Sequence, residues 1–139
     1  MNNSPIGVYD SGFGGLSVWR EIHRRLPEES LLYLGDGKNC PYGGRSREEI
    51  TAFAREAVER LISEGVKMVV VGCNTATTAA VDALRAEWPD IPIVGLEPAV
   101  KPACLSSRTR RIAVLATAHS LQSDMFLNTA RRYAADVEV

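Results

Sequence analysis

The chain has 139 residues, of which 45% are hydrophobic and 24% are charged, a composition typical of a globular protein. Its 16 basic and 17 acidic residues leave a net charge of -1, so no excess of positive charge indicates a nucleic-acid or membrane partner. No apolar run approaches the roughly 20 residues that span a bilayer, and residues 1–10 lack the features of a signal peptide. We therefore expect a cytoplasmic protein that binds a small molecule or another protein.

Five short runs of branched apolar residues predict strands, and helical patterns lie between most of them. The predicted strands cover residues 6–9, 31–35, 67–72, 91–96 and 111–116. Before the helical pattern of residues 50–62, Ser46 and Glu49 have the spacing of a capping box, and Gly65 suits the end of that helix. Strands that are apolar on both faces are typical of a parallel sheet covered by helices on two sides. The sequence therefore predicts a doubly wound α/β fold with a mostly parallel sheet.

Polar and reactive residues follow each of the predicted strands. Ligands of open α/β sheets bind beyond the carboxyl ends of the strands, so we expect these residues to share one rim of the sheet. In chain order they are Asp10 and Ser11, then Asp36 with Tyr42 and Gly43, then Cys73, Asn74 and Thr75, then Glu97, and finally Thr117.

Cys73 follows the third predicted strand and directly precedes a helical pattern over residues 74–88. The free N–H groups and the positive dipole end of a helix start favour a thiolate, which is the reactive form of cysteine. The alternative is a small buried residue that only fills space.

The remaining cysteines and histidines predict no metal site and no disulfide framework. Cys40 and Cys104 are too far from Cys73 in the sequence to form a zinc-binding pattern with it, and the two histidines stand alone. His23 lies on an apolar helical stripe with Trp19, so we expect it to be a partly buried packing residue.

Residues 10–15, DSGFGG, favour a tight turn that lets a ligand approach the backbone closely. The N–H groups of the helix that follows suit a carboxylate or a phosphate. The glycine spacing differs from the G-x-G-x-x-G motif of dinucleotide-binding proteins, and Asp10 would repel a pyrophosphate. These residues argue against a dinucleotide ligand.

Four segments of the chain closely resemble, in order and spacing, the amino-terminal half of the bacterial glutamate racemases, which belong to the aspartate/glutamate racemase superfamily. They read GVYDSGFGGLSV, YLGDGKNCPYGGRSREEI, VVVGCNTATTAAVDALR and IPIVGLEPAVKPA, and the resemblance covers residues 6 to about 120. It implies cofactor-independent inversion of glutamate at its α-carbon, which supplies D-glutamate for peptidoglycan. Two cysteines on opposite sides of the substrate exchange the α-proton in this family.

The resemblance also implies roles for individual residues. Cys73 corresponds to one of the two catalytic cysteines, and Asp10 to a catalytic group that assists its proton handling and contacts the substrate. The other substrate-binding positions are matched by Ser11, Tyr42, Gly43, Asn74 and Thr75, and, in a looser motif, by Thr117.

The chain departs from this family in length and in one loop. Gly37 and Cys40 differ from the residues that many members have there, and Cys40 is expected to be a loop thiol without a catalytic role. Family members are about twice as long, and their second catalytic cysteine lies in the half that has no counterpart here. We therefore expect residues 1–96 to form part of a first α/β domain and residues 97–139 to form the truncated start of a second.

Several alternatives stay open at this point. The complete protein could act on aspartate or another acid, could be a single-cysteine decarboxylase of the superfamily, or could be a non-catalytic module that binds an acidic ligand. A homodimer is also left open. We expect this chain alone to be inactive, because the group opposite Cys73 would come from the second half.

Overall fold

The computed structural model describes residues 3–139, and within them it contains one parallel sheet of four strands. The strands are β1 (Ile6–Asp10), β2 (Leu31–Gly35), β3 (Met68–Val71) and β4 (Ile93–Gly95). Their spatial order is β2-β1-β3-β4, and all three pairings are parallel. The doubly wound α/β class predicted from the sequence is confirmed.

Helices follow the strands and cover the sheet. They are α1 (Leu16–Arg25), α2 (Arg47–Ser63), α3 (Asn74–Glu87), α4 (Val100–Ser106), α5 (Ala118–Leu121) and α6 (Asp124–Tyr133), and a 3₁₀ turn at Tyr42–Gly44 precedes α2. None of the helices within residues 3–139 is long and apolar enough to cross a membrane.

Helix α2 begins and ends as the sequence predicts. The Ser46 hydroxyl accepts a hydrogen bond from the Glu49 N–H (3.1 Å), and the Glu49 carboxylate accepts one from the Ser46 N–H (2.9 Å). These bonds from Ser46 lower the pKa of Glu49, because they stabilise its charged form. Gly65 follows the helix with a φ of 79°, a conformation that costs glycine little.

The two faces of the sheet are covered unequally. Tyr9, Val69 and Val71 pack in the main core, which α2 and α3 complete. Ile6 and Val8 point to the opposite face, where α1 contributes the packing helix. The connections that leave β1 and β3 therefore run to opposite sides of the sheet.

The fifth predicted strand, residues 111–116, does not form. Arg111 makes an isolated bridge to Glu138, and the Ile112 N–H donates to the Glu138 carbonyl (2.8 Å), but the pairing extends no further. Leu115 is 100% exposed. An apolar run becomes a strand only when a neighbouring strand satisfies its backbone hydrogen bonds, and within residues 3–139 the backbone of this run pairs only with the segment around Glu138.

The expectation for His23 was also wrong, because the side chain is exposed. Its ring stacks on Trp19 with the ring centroids 5.4 Å apart. Among the described residues α1 covers its face of the sheet by itself, so only the middle of its apolar stripe, including Trp19 and Ile22, packs against the strands.

Candidate active site at the carboxyl ends of β1 and β3

The site lies where the strand order of the sheet reverses direction. The chain passes from β1 to β2 at one edge and then places β3 on the other side of β1. The loops after β1 and β3 diverge to opposite faces of the sheet. Open α/β sheets bind ligands in the crevice between two such loops. Asp10 ends β1, and Cys73 follows β3 after Gly72.

Cys73 is the N-cap residue of α3, and its sulfur serves as the capping acceptor. The Ala76 N–H lies 3.4 Å from Sγ, and the Ser11 hydroxyl oxygen lies 3.3 Å from it. A backbone N–H and the positive end of the helix dipole are therefore both directed at this sulfur. The thiol is 7% exposed, so it is sheltered from bulk solvent but lies at the crevice.

Asp10 is held beside Cys73 by strand pairing. Tyr9 pairs with Val71, and the Gly72 N–H donates to the Tyr9 carbonyl at 2.7 Å, which sets Asp10 next to the Gly72–Cys73 step. The Asp10 carboxylate is 6% exposed and accepts a hydrogen bond from the Gly12 N–H (2.7 Å). A carboxylate and a thiol thus adjoin at the ends of two neighbouring strands.

Two glycines allow the rim loops to approach one another. A Cβ on Gly35 would lie 2.5 Å from the Gly12 carbonyl oxygen, and a Cβ on Gly15 would lie 2.6 Å from the Asp10 Cβ. Neither contact is sterically allowed, so these loops need glycine at both positions.

The segment that follows β2 brings Tyr42 and Gly43 to the 3₁₀ turn before α2. The Tyr42 side chain is 2% exposed, and its hydroxyl donates to the Asp36 carboxylate at 2.6 Å. The phenol therefore points into the protein rather than to the crevice. Gly43 is exposed, and no side chain caps the 3₁₀ turn that it belongs to. The first N–H groups of a helical turn lack partners within it, so the turn offers backbone donors.

Thr117 reaches this rim although the strand predicted before it is absent. Its hydroxyl lies 3.0 Å from the Thr75 hydroxyl and also accepts a hydrogen bond from the Ser120 N–H (3.3 Å), which caps α5. A Cβ on Gly43 would lie 3.1 Å from the Thr117 methyl group. Thr117, Thr75 and Gly43 are therefore neighbours, and Asn74 is exposed in the first turn of α3.

Two tyrosines that the sequence did not single out, Tyr9 and Tyr33, support the site together with Tyr42. The Tyr33 hydroxyl donates to the Gly12 carbonyl (2.7 Å), and burial, together with the negative charges of Asp10 and Cys73, raises the pKa of Tyr33 to about 12. Burial also raises the pKa values of Tyr9 and Tyr42 well above the usual range. The alternation of side chains along β1 and β2 is the signal that could have identified Tyr9 and Tyr33 as inward-facing.

The other cysteines are placed differently. Cys40 is exposed at the rim, 3.4 Å from where a Cβ on Gly12 would lie. Cys104 is buried in a separate apolar cluster with Val100 and Phe126. Residues 3–139 contain no group of three His, Cys, Asp or Glu side chains that could hold a metal ion.

Comparison with known proteins gives consistent matches. A family model described as Asp/Glu/hydantoin racemase matches residues 6–139. The glutamate racemase of Stutzerimonas stutzeri is 51% identical over 136 residues, which cover 98% of this chain and 52% of the relative. That of Pseudomonas aeruginosa PAO1 is 47% identical over 139 residues, covering 100% of this chain and 52% of the relative.

Solved structures of glutamate racemases also match nearly the whole of this chain and about half of their own. Escherichia coli glutamate racemase, crystallised with L-glutamate and the activator UDP-MurNAc-Ala, is 33% identical with a TM-score of 0.89, over 97% of this chain and 51% of that one. The glutamate racemase isoform RacE1 from Bacillus anthracis is 41% identical with a TM-score of 0.85, and the match covers 100% of this chain and 52% of that one. The chain thus spans about half the length of the relatives that it matches.

We expect replacement of Gly35 by alanine to lower the free energy of unfolding by about 1–3 kcal/mol, because the new methyl group would meet the Gly12 carbonyl. Gly37→Ala is the matched control, since no atom lies within 4 Å of the Cβ position there. Urea denaturation of both variants measures the difference. Equal stabilities would show that the loops are not in close contact.

We expect the stability contributed by Tyr33 to depend on pH. The pKa of Tyr33 is about 12 in the folded chain, whereas that of an unperturbed tyrosine is 10.0. The stabilisation that follows from this difference is complete below pH 10 and is lost as the pH rises through 12. The free energy of unfolding, measured from pH 9 upward, should fall less steeply in Tyr33→Phe than in the wild type. Identical slopes would contradict the assignment.

Proposed function

This chain belongs to the Asp/Glu/hydantoin racemase family, and we propose that it supplies one half of a cofactor-independent glutamate racemase site. The observation that carries the proposal is the position of Cys73, whose sulfur accepts a hydrogen bond from the Ala76 N–H and lies 3.3 Å from the Ser11 hydroxyl, where the loops after β1 and β3 diverge. The curated relatives that match the whole chain bear the name glutamate racemase. One solved relative was crystallised with L-glutamate and another with D-glutamate.

In the proposed reaction Cys73 acts as a thiolate and removes the α-proton from one face of glutamate. The electron pair of the C–H bond stays on the substrate as a carbanion, and an acid on the opposite face donates a proton to give the other enantiomer. In the reverse direction the Cys73 thiol returns its proton. Asp10 lies beside this step and assists proton movement at the sulfur.

Backbone donors and hydroxyls at the rim would hold the substrate. The turn at Tyr42–Gly44 and the start of α3, with Asn74, present N–H groups suited to carboxylates. The hydroxyls of Ser11, Thr75 and Thr117 lie at the same rim and add neutral donors. Such fixed dipoles also stabilise charge that develops on the α-carbon and its carboxylate.

The residues described here supply one wall of such a site. Asp10, Ser11 and Cys73 all lie at the carboxyl end of one sheet, so the proposed second proton donor belongs to residues outside this chain. We propose that the complete protein contains it in a second half, as the resemblance implies. D-glutamate for peptidoglycan is the proposed product, made in the cytoplasm.

A one-sided site also suits a second function, because a single wall of donors can bind an acidic ligand without catalysis. Chemistry at the α-carbon distinguishes the two. A binding module would show no Cys73-dependent exchange of the α-proton of glutamate with deuterium from the solvent, even when a second half is supplied.

We expect the isolated chain not to racemise glutamate, because an inversion needs a proton donor opposite Cys73. Circular dichroism of L-glutamate incubated with the purified chain should stay constant, with Cys73→Ala as the control for contaminating enzymes. A loss of optical activity that depends on Cys73 would show that a second donor lies within this chain, and Cys40 would be examined first.

Mixing the chain with a separately produced second half of the Stutzerimonas stutzeri relative is expected to restore racemisation. Cys73→Ser should lower the restored rate at least about hundredfold, because a serine hydroxyl is too weak an acid to supply the base. Cys40→Ser is the matched control and should keep the activity. Full activity in Cys73→Ser would remove this residue from the mechanism.

A further inference from the structure

Asp36 follows β2 and is tied into the site by hydrogen bonds that the proposed chemistry does not use. Its carboxylate accepts hydrogen bonds from the Asn39 side-chain amide (2.9 and 3.1 Å), the Asn39 N–H (3.3 Å) and the Tyr42 hydroxyl (2.6 Å). Its own N–H donates to the Asp10 carbonyl (2.9 Å). Asp36 therefore joins the loop after β2 to the end of β1.

The Tyr42 hydroxyl extends this connection to the central strand. Because Tyr42 gives its proton to Asp36, its oxygen accepts the hydrogen bond that joins it to the Tyr9 hydroxyl at 2.6 Å. Tyr9 is 0% exposed and directly precedes Asp10. The bonds thus run in one direction, from Tyr9 through Tyr42 to Asp36, and the raised pKa values of both phenols keep their protons in place.

The segment fixed by these bonds is the exposed turn at Tyr42–Gly44. No side chain caps this turn, so the polar contacts that fix its start come through the Tyr42 phenol. Gly43 within it adjoins Thr117, which in turn lies 3.0 Å from Thr75. A shift of the Tyr42 ring would therefore move the backbone donors of the turn relative to both hydroxyls.

We propose that Asp36 is a positioning residue for glutamate: together with Tyr9 it holds the Tyr42 phenol, and thereby the Tyr42–Gly44 turn, in the place from which the N–H groups of the turn bind a substrate carboxylate. This inference rests on the proposed function and assigns roles to Asp36 and Tyr9 in it. Asp36 touches no reacting atom and acts through the position of the turn.

The test measures alkylation of Cys73 by iodoacetamide in the 139-residue chain, with and without L- or D-glutamate. Peptide mass spectrometry separates Cys73 from exposed Cys40 and buried Cys104. In the wild type, glutamate should protect Cys73. In Asp36→Asn and in Tyr42→Phe the glutamate concentration that halves the alkylation rate should rise about tenfold, as expected for loss of a buried hydrogen bond to a charged group.

The double variant should bind no more weakly than Tyr42→Phe, because both changes act on the one hydrogen bond between Tyr42 and Asp36 and the phenylalanine already removes it. Asp90→Asn and Tyr133→Phe are matched controls away from the turn and should leave protection unchanged. Alkylation of Cys73 and Cys104 without glutamate reports general loosening, and both rates should stay at their wild-type values.

Three results would overturn the inference. Wild-type protection that is unchanged in Asp36→Asn and Tyr42→Phe would remove the positioning role and leave the proposed function standing. Faster alkylation of Cys104 without glutamate in these variants would show that Asp36 stabilises the whole fold instead. Absence of protection in the wild type would overturn the proposed glutamate site and this inference together.

Discussion

The parallel pairing of β1 with β3 is the constraint on which the candidate site depends. It places the ends of two strands side by side although β2 and two helices separate them along the chain. Because α1 and α3 leave these strands toward opposite faces, the starts of both helices lie at this end of the sheet. Asp10 and Cys73 meet there because of strand register, with Ser11 brought to the sulfur by the same pairing.

The position of Cys73 connects helix stability with reactivity. A residue that caps a helix must offer an acceptor to the free N–H groups, and a thiolate serves this purpose better than a thiol. The sulfur in this position thus satisfies the Ala76 N–H while it remains at the crevice. The sulfur that caps α3 is thus the same atom to which the proposed function assigns the role of base.

Residues 97–139 have a different relation to the site. Their apolar side chains, including Val100 and Phe126, form a cluster separate from the main core, and Leu115 is exposed. They nevertheless deliver Thr117 to the rim, through a hydroxyl contact with Thr75 rather than through a fifth strand. A side-chain contact can therefore bring a residue to the rim when the strand expected before it does not form.

The sequence by itself determined the strand–helix alternation, the capping box at Ser46 and the junction at which Cys73 lies, because periodicity and capping involve residues within about four positions of one another. Tertiary structure alone decided that residues 111–116 form no strand beyond the bridge from Arg111 to Glu138, and that the Tyr42 phenol turns inward to Asp36. Both outcomes depend on partners beyond the reach of local periodicity, six residues apart for Asp36 and Tyr42 and 27 apart for Arg111 and Glu138. Strand pairing and burial are non-local, so apolar pattern and residue type specify which groups need a partner but not which partner each one finds.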